Sequence, residues 1–129
     1  MAQERFVIVG GDAAGMSAAG QTRNLQPDAE IVVYEKSGYS SYSACGIPYY
    51  VAGMVDSSSR LVVRSPEEFK KRQNIDVRIR HEVLSIDPGA GKVLVRDLES
   101  DREFFDFFGK LLLATGASPF IPPIEGADA

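Results

Sequence analysis

Phe6-Val7-Ile8-Val9-Gly10-Gly11-Asp12-Ala13-Ala14-Gly15 is the stretch on which the fold turns. A short unbroken apolar run closed by glycine is the mark of a strand buried on both faces. From Ala13 to Leu25 the chain is rich in alanine and free of proline, which predicts a helix, and Asn24 followed by Pro27-Asp28 marks its end. Ile31-Val32-Val33-Tyr34 is a second buried strand that ends at Glu35. Two parallel strands joined by a helix form a right-handed βαβ crossover.

The glycine-rich turn sits where a dinucleotide fingerprint belongs, between strand and helix. Gly10 supplies the tight turn, and Gly15 lets helix and strand pack closely. The exposed N–H groups of the helix start, with the helix dipole, can hold a pyrophosphate. Gly10, Gly11, Asp12, Ala14 and Gly15 are therefore candidate cofactor-binding residues. Asp12 occupies the middle-glycine position of the motif, so its carboxylate is expected to turn away from the phosphates toward a backbone N–H or solvent. Glu35, at the end of the second strand, is placed to accept hydrogen bonds from an adenosine ribose.

Outward from this unit, Ser37 to Ser43 is a polar loop, and a helix is expected from about Gly46 to Ala52. Pro48 is tolerated only in a first turn, which puts Cys45 at that helix's N-terminus. Ser65-Pro66-Glu67-Glu68 starts another helix that runs to about Arg72. The period then changes. Val77 to Arg80, Val83 to Ile86, Val93 to Val95 and Phe104 to Phe108 alternate, with turn signals at Asp87-Pro88-Gly89 and Leu98 to Asp101, and read as an antiparallel meander. Lys110 to Gly116 returns to a buried strand, and the proline-rich stretch from Ser118 to Ala129 reads as an extended linker. The fold class is α/β, a partial dinucleotide-binding Rossmann-like domain: a parallel βαβ sheet with an inserted β-meander.

A chain of 129 residues with 44% hydrophobic and 25% charged residues has the make-up of one globular domain. A net charge of -4 and the lack of a basic, aromatic-interleaved stretch argue against a nucleic-acid partner. No apolar run is long enough to span a bilayer and no signal-peptide pattern precedes the first strand, so the expected setting is the cytoplasm, without a membrane partner. A single cysteine excludes an internal disulfide, and one His beside one Cys argues against zinc; no metal site is expected.

Cys45 lies in Ser41-Tyr42-Ser43-Ala44-Cys45-Gly46-Ile47-Pro48-Tyr49-Tyr50. A lone cysteine is usually a small buried hydrophobe, but here the surroundings are polar, and a helix N-terminus favours the thiolate. With Val7 to Ala19 and Leu111 to Pro119, this segment makes the sequence resemble the single-cysteine pyridine nucleotide–disulfide oxidoreductases. That group includes the coenzyme A-disulfide reductases, NADH oxidases, NADH peroxidases and NAD(P)H sulfur oxidoreductases, and its FAD domain is glutathione-reductase-like. The resemblance covers the whole chain. It implies FAD held near Gly10, Gly15, Glu35, Lys36, Thr115 and Gly116, and Cys45 as the redox cysteine beside the flavin, supplied with electrons by NAD(P)H. The acceptor is then an external small disulfide or sulfur species, or an oxygen species.

Two features bear on the subclass. The family's peroxidases and water-forming oxidases carry histidine at the position matching Ala13, whereas alanine is similar to the coenzyme A-disulfide reductases. In those enzymes the positions matching Ser17, Gln21 and Ser41 line the coenzyme A site. The position matching Asn24 is often an arginine that pairs with a phosphate; Arg23 is adjacent but faces elsewhere on the helix.

Family members are several times longer. The resemblance therefore implies that residues 1–117 are the first segment of an FAD-binding domain, and that 118–129 lead toward an NAD(P)H-binding domain. A dimerisation domain follows in the family, which implies a homodimer. A stand-alone nucleotide-binding module and a thiol redox sensor using Cys45 remain as alternatives.

Overall fold

The sheet at the centre of the molecule is built from strands that alternate their side chains between two different layers. In a computed structural model describing residues 4–118 and 120–127, β1 (Arg5–Val9) is followed by α1 (Ala13–Leu25) and β2 (Glu30–Glu35). Two short helices follow, α2 (Ile47–Val51) and α3 (Pro66–Gln73). The chain ends with β3 (Asp76–Ile79), β4 (His81–Asp87), β5 (Lys92–Asp97), β6 (Arg102–Phe107) and β7 (Lys110–Leu113). The four-stranded sheet is parallel throughout, in the order β3-β2-β1-β7.

Successive residues of a strand point to opposite faces, and the core divides accordingly. Ile8, Ile31, Val33 and Val77 pack on one face against Met16 and Ala19 of α1 and Phe69 of α3. Val7, Val32 and Tyr34 pack on the other face against Val93 and Val95 of the meander. This two-sided cover explains why β1 and β2 read as continuous apolar runs. The α3 helix starts with a capping box: Glu68 N–H donates to Ser65 Oγ at 3.3 Å and Ser65 N–H donates to Glu68 Oε2 at 3.1 Å. It ends at Asn74 in the left-handed region, φ 48°.

The meander is tied to the sheet by polar groups as well. Arg5 donates two hydrogen bonds to Asp106, at 2.9 and 2.8 Å, and pairs with Glu30. The Tyr34 hydroxyl donates to Asp106 Oδ2 at 2.6 Å. Burial alone would raise the Asp106 carboxyl, but the bonds from Arg5 and Tyr34 outweigh it and hold the group below its ordinary value. Burial, and then the bond to Asp106, push the Tyr34 hydroxyl upward.

Three expectations need correction. The segment expected to open the meander, Val77 to Arg80, instead gives β3, which pairs with β2 as the parallel edge of the first sheet. Arg80, at φ 54°, breaks the chain between β3 and β4 and lets it step from one sheet to the other. The meander proper is β4-β5-β6. The helix expected from about Gly46 begins at Ile47 and has five residues, with Cys45 in a separate turn of 3-10 helix, Ala44–Gly46. Finally, β7 joins the sheet beside β1 but is not buried: Leu112 is 39% and Leu113 57% exposed. Among the described residues nothing covers its outer edge. Pro119 of the expected linker lies outside the described residues, and 120–127 form no strand or helix.

Candidate functional site

The strand order reverses between β1 and β7, and the glycine-rich turn lies at that point, beyond the carboxyl end of β1. Open α/β sheets bind ligands in the crevice at such a switch point. Gly10 has φ 110°, and a Cβ there would lie 2.1 Å from the Ala114 carbonyl oxygen. A Cβ on Gly15 would lie 1.8 Å from the Gly10 oxygen, and one on Gly11 would lie 2.8 Å from Cβ of Glu35. Backbone occupies the space at Gly10 and Gly15, and the Glu35 side chain occupies it at Gly11, so a larger residue at any of the three meets a clash. The first helical bond runs from Met16 N–H to the Asp12 carbonyl at 2.9 Å, so the amides of Ala13, Ala14 and Gly15 have no helical partner.

Asp12 sits at the N-cap, yet its side chain caps none of these amides. Its Oδ1 is buried without a hydrogen-bond partner among the described residues. The expected bond to a backbone N–H is thus not made. A desolvated acceptor left this way is costly, and a donor supplied by a ligand would relieve it.

Glu35 accepts the Gly11 N–H at 2.6 Å and the Ser37 N–H at 2.7 Å, one on each oxygen. This fixes the carboxylate at the rim of a cleft of about 200 Å³ lined by Gly10, Tyr34, Glu35, Lys36, His81 and Thr115, among others. Lys36 pairs with Glu82 at 2.7 Å across the same cleft. The His81 ring lies 6.1 Å from that of Tyr34, with Nδ1 2.8 Å from the Ile79 carbonyl oxygen. Gly116 follows Thr115 at φ 65°, with open space where a Cβ would be. Helix amides without a helical partner, an anchored carboxylate and an adjoining cleft are chemically suited to a dinucleotide: the amides can donate to phosphate oxygens and the carboxylate can accept from hydroxyls. His81, Glu82 and Val83 escaped the sequence reading. Alternation identifies their strand but not that its start crosses the end of β2.

On the other side of the turn, Ala13 borders a second cleft, of about 420 Å³. Ser17 and Gln21 of α1 line it together with Ser41 of the cysteine loop. Asn24, Arg64, Phe69 and Gln73 also line it, and of these Arg64, Phe69 and Gln73 had no signal in the sequence. Arg23 does face elsewhere: its guanidinium donates to the carbonyls of Gln73, Asn74 and Pro27 at 2.8, 2.8 and 2.5 Å.

Cys45 is exposed, on the same loop as Ser41. That loop is stapled on both sides. Ser41 N–H donates to the Gly11 carbonyl at 2.8 Å. Ser43 N–H donates to Leu61 and Val63 N–H to Ser41, at 2.7 and 2.9 Å, around an antiparallel bridge between Tyr42 and Val62. The segment that holds the cysteine loop therefore also forms a wall of the second cleft, through Val63 and Arg64. Among the described residues no helix is long and apolar enough to cross a membrane, and no cluster of His, Cys, Asp and Glu could hold a metal ion.

The family model of the pyridine nucleotide-disulphide oxidoreductases matches residues 4–129. The chain is 41% identical to an NAD(P)H sulfur oxidoreductase (CoA-dependent) of Pyrococcus abyssi, over 98% of this chain and 27% of that protein. It is 40% identical to an NADH oxidase of Methanocaldococcus jannaschii, over 96% of this chain and 28% of that protein. The crystal structure of reduced Bacillus anthracis CoADR-RHD superposes with a TM-score of 0.92 at 31% identity, covering 99% of this chain and 23% of that one. The chain thus spans about a quarter of the length of the relatives it matches.

Proposed function

Because this chain belongs to the pyridine nucleotide-disulphide oxidoreductases, a family of FAD- and NAD(P)H-dependent enzymes, we propose that it passes electrons from NAD(P)H through FAD and Cys45 to a small disulfide or sulfur acceptor such as coenzyme A disulfide. On this reading residues 1–117 are the first segment of the FAD domain, and 118–129 lead to an NAD(P)H-binding domain. The same reading makes the whole protein a cytoplasmic homodimer. Gly10, Gly11, Asp12, Ala14, Gly15, Glu35, Lys36, Thr115 and Gly116 hold the cofactor, while Ser17, Gln21 and Ser41 bind the acceptor.

The observation that carries the reading is the second cleft: its wall residue Ser41 and the exposed Cys45 share one stapled loop. FAD held by the glycine turn, Glu35, Lys36, Thr115 and Gly116 would supply hydride acceptance from NAD(P)H and the two electrons that sulfur needs. The chain's own part is nucleophilic. The Cys45 thiolate attacks one sulfur of the disulfide, the S–S bond breaks, and one thiolate leaves. The mixed disulfide left on Cys45 takes up two electrons and a proton, which releases the second thiol and restores the Cys45 thiolate. Cys45 is exposed in the 3-10 turn Ala44–Gly46, which leaves its sulfur open to an external disulfide.

The 40% identity to an NADH oxidase favours a second reading, in which oxygen or peroxide is the acceptor. Steady-state rates of the full-length protein with coenzyme A disulfide, polysulfide, hydrogen peroxide and oxygen decide between the two. The expected result is a sulfur compound as best acceptor. Cys45→Ser should lose that activity while NAD(P)H still bleaches the flavin. Oxygen or peroxide as best acceptor by a wide margin replaces this reading with the second. Full sulfur activity in Cys45→Ser refutes the role of the cysteine.

A further inference from the structure

We infer that Ser40 and Asp12 are positioning residues for Cys45: their buried oxygens share one bridging water, which latches the cysteine loop to the glycine-rich turn. The inference rests on the reading of Cys45 as the redox cysteine and is independent of the acceptor that it serves.

Among the described residues two buried side-chain atoms lack a hydrogen-bond partner, Asp12 Oδ1 and Ser40 Oγ. Ser40 is 1% exposed and is the one buried polar residue among them. Buried polar atoms are normally partnered, so two orphans in one place call for a shared ligand. They are in one place. Ser41 N–H donates to the Gly11 carbonyl at 2.8 Å, which joins the Ser40–Ser41 peptide to the Gly11–Asp12 peptide. Standard peptide dimensions then keep the Cα atoms of Ser40 and Asp12 within about 8 Å of each other.

The chemistry of the pair selects water. An ionised Asp12 can only accept, whereas the Ser40 hydroxyl can donate and accept. The two make no direct bond. A water that accepts from Ser40 and donates to Asp12 satisfies both, and keeps a hydrogen for a third partner. Neither residue lines the cleft beside Glu35 or the cleft beside Ser41, so the occupants of those clefts are not the missing partner. Asp12 also makes no side-chain bond to the helix amides, although it stands at the N-cap. The amides stay free for phosphate, and the carboxylate is left for the loop.

The other ties of the loop run elsewhere. Ser43 and Val63 bond across the Tyr42–Val62 bridge, to the segment before α3. Between the loop and the turn, the Ser41–Gly11 bond is the one backbone link among the described residues. A single hydrogen bond acts as a hinge. A second tie, one residue along on each side, also fixes the angle. Cys45 follows on the same loop, in the turn Ala44–Gly46, so the orientation of its sulfur depends on that angle.

The test is a double-mutant cycle in the full-length protein with FAD in excess. Its readout is the rate at which iodoacetamide alkylates Cys45 well below Tm, followed by mass spectrometry of the peptide that carries it. Ser40→Ala is expected to change that rate about three- to tenfold at unchanged flavin content. Asp12→Ala should change it in the same direction by a similar factor. The double variant should go no further than either single one, because each deletion already removes the shared water. A crystal structure of the unmutated full-length protein should show one water within about 2.6–3.0 Å of both oxygens. Effects that multiply in the double variant, an unchanged alkylation rate in Ser40→Ala, or a cofactor atom bonded to Asp12 Oδ1 overturns the proposal. A merely structural Ser40 would lower Tm and leave the alkylation rate of the folded protein alone, which is the second of these outcomes. Alkylation reads the loop whether or not Cys45 carries turnover, so a failed latch and a failed role for Cys45 are told apart.

Discussion

Each oxygen of the Glu35 carboxylate takes one backbone N–H, from Gly11 and from Ser37. Each also keeps a lone pair for a ribose hydroxyl. Glu35→Ala in the full-length protein should therefore cost about 1.5–3 kcal/mol of FAD binding, the range for charge-assisted bonds. Flavin content after dialysis checks this, and unchanged content removes the ribose role. Gly10→Ala should do worse, since a methyl group would meet the Ala114 carbonyl and φ 110° suits no L-residue. A purified Gly10→Ala protein is expected to lack the flavin absorbance near the visible maximum. Asp12 is a subtler case. If its buried oxygen receives a donor from the cofactor, Asp12→Gly leaves FAD affinity about unchanged or lowers it. A gain of roughly tenfold would instead mean that the carboxylate repels the phosphates. The glycines and Glu35 were legible in the sequence because close backbone approach permits only glycine and a strand end fixes the carboxylate. The orphaned Asp12 oxygen was not, since an N-cap aspartate ordinarily finds an amide.

Strands β1, β2 and helix α1 could be read almost to the residue, because burial on both faces and an alanine-rich helix leave little choice. The split between β3 and the meander could not. Val77 and Ile79 alternate in the same way in a parallel edge strand as in a hairpin, and only Arg80 in the left-handed region separates the two. The meander's attachment through Asp106 makes a separate prediction. Asp106→Ala strands the Arg5 guanidinium and the Tyr34 hydroxyl, at a cost of about 2–3 kcal/mol, seen as a fall of several degrees in Tm. The pH dependence follows from the depressed carboxyl. Its folded value lies below the unfolded one, so its stabilisation is complete above the unfolded value, near pH 4, and is lost as pH falls through the folded value. The Tm difference between the unmutated protein and Asp106→Asn should thus be largest near neutrality and shrink below about pH 4. A difference that stays constant down to pH 3 would assign the effect to packing alone.

On the scale of the whole molecule, the glycine-rich turn has β2 on one side, and beyond β7 on the other Leu112, Leu113 and Phe120 are exposed. The 129-residue chain on its own is therefore expected to bind FAD weakly and to purify colourless or substoichiometric in flavin. A yellow preparation holding one FAD per chain would contradict this. The family resemblance grouped Ser17, Gln21 and Ser41 in one site and Gly10, Glu35, Lys36 and Thr115 in another, but the remaining walls, Arg64, Phe69 and Gln73 in one cleft and His81, Glu82 and Val83 in the other, lay beyond the reach of the sequence because they come from segments far apart in the chain. Gly10 adds a consequence for synthesis in the cell. The space its hydrogen occupies is bounded by the carbonyl of Ala114, so the turn that opens the chain acquires its final wall from a residue translated about a hundred positions later. At roughly 5–20 residues per second, a nascent chain spends about 5–20 s with the motif made and its last wall still missing. During that interval the ribosome, and not the sheet, decides when the glycine turn can close.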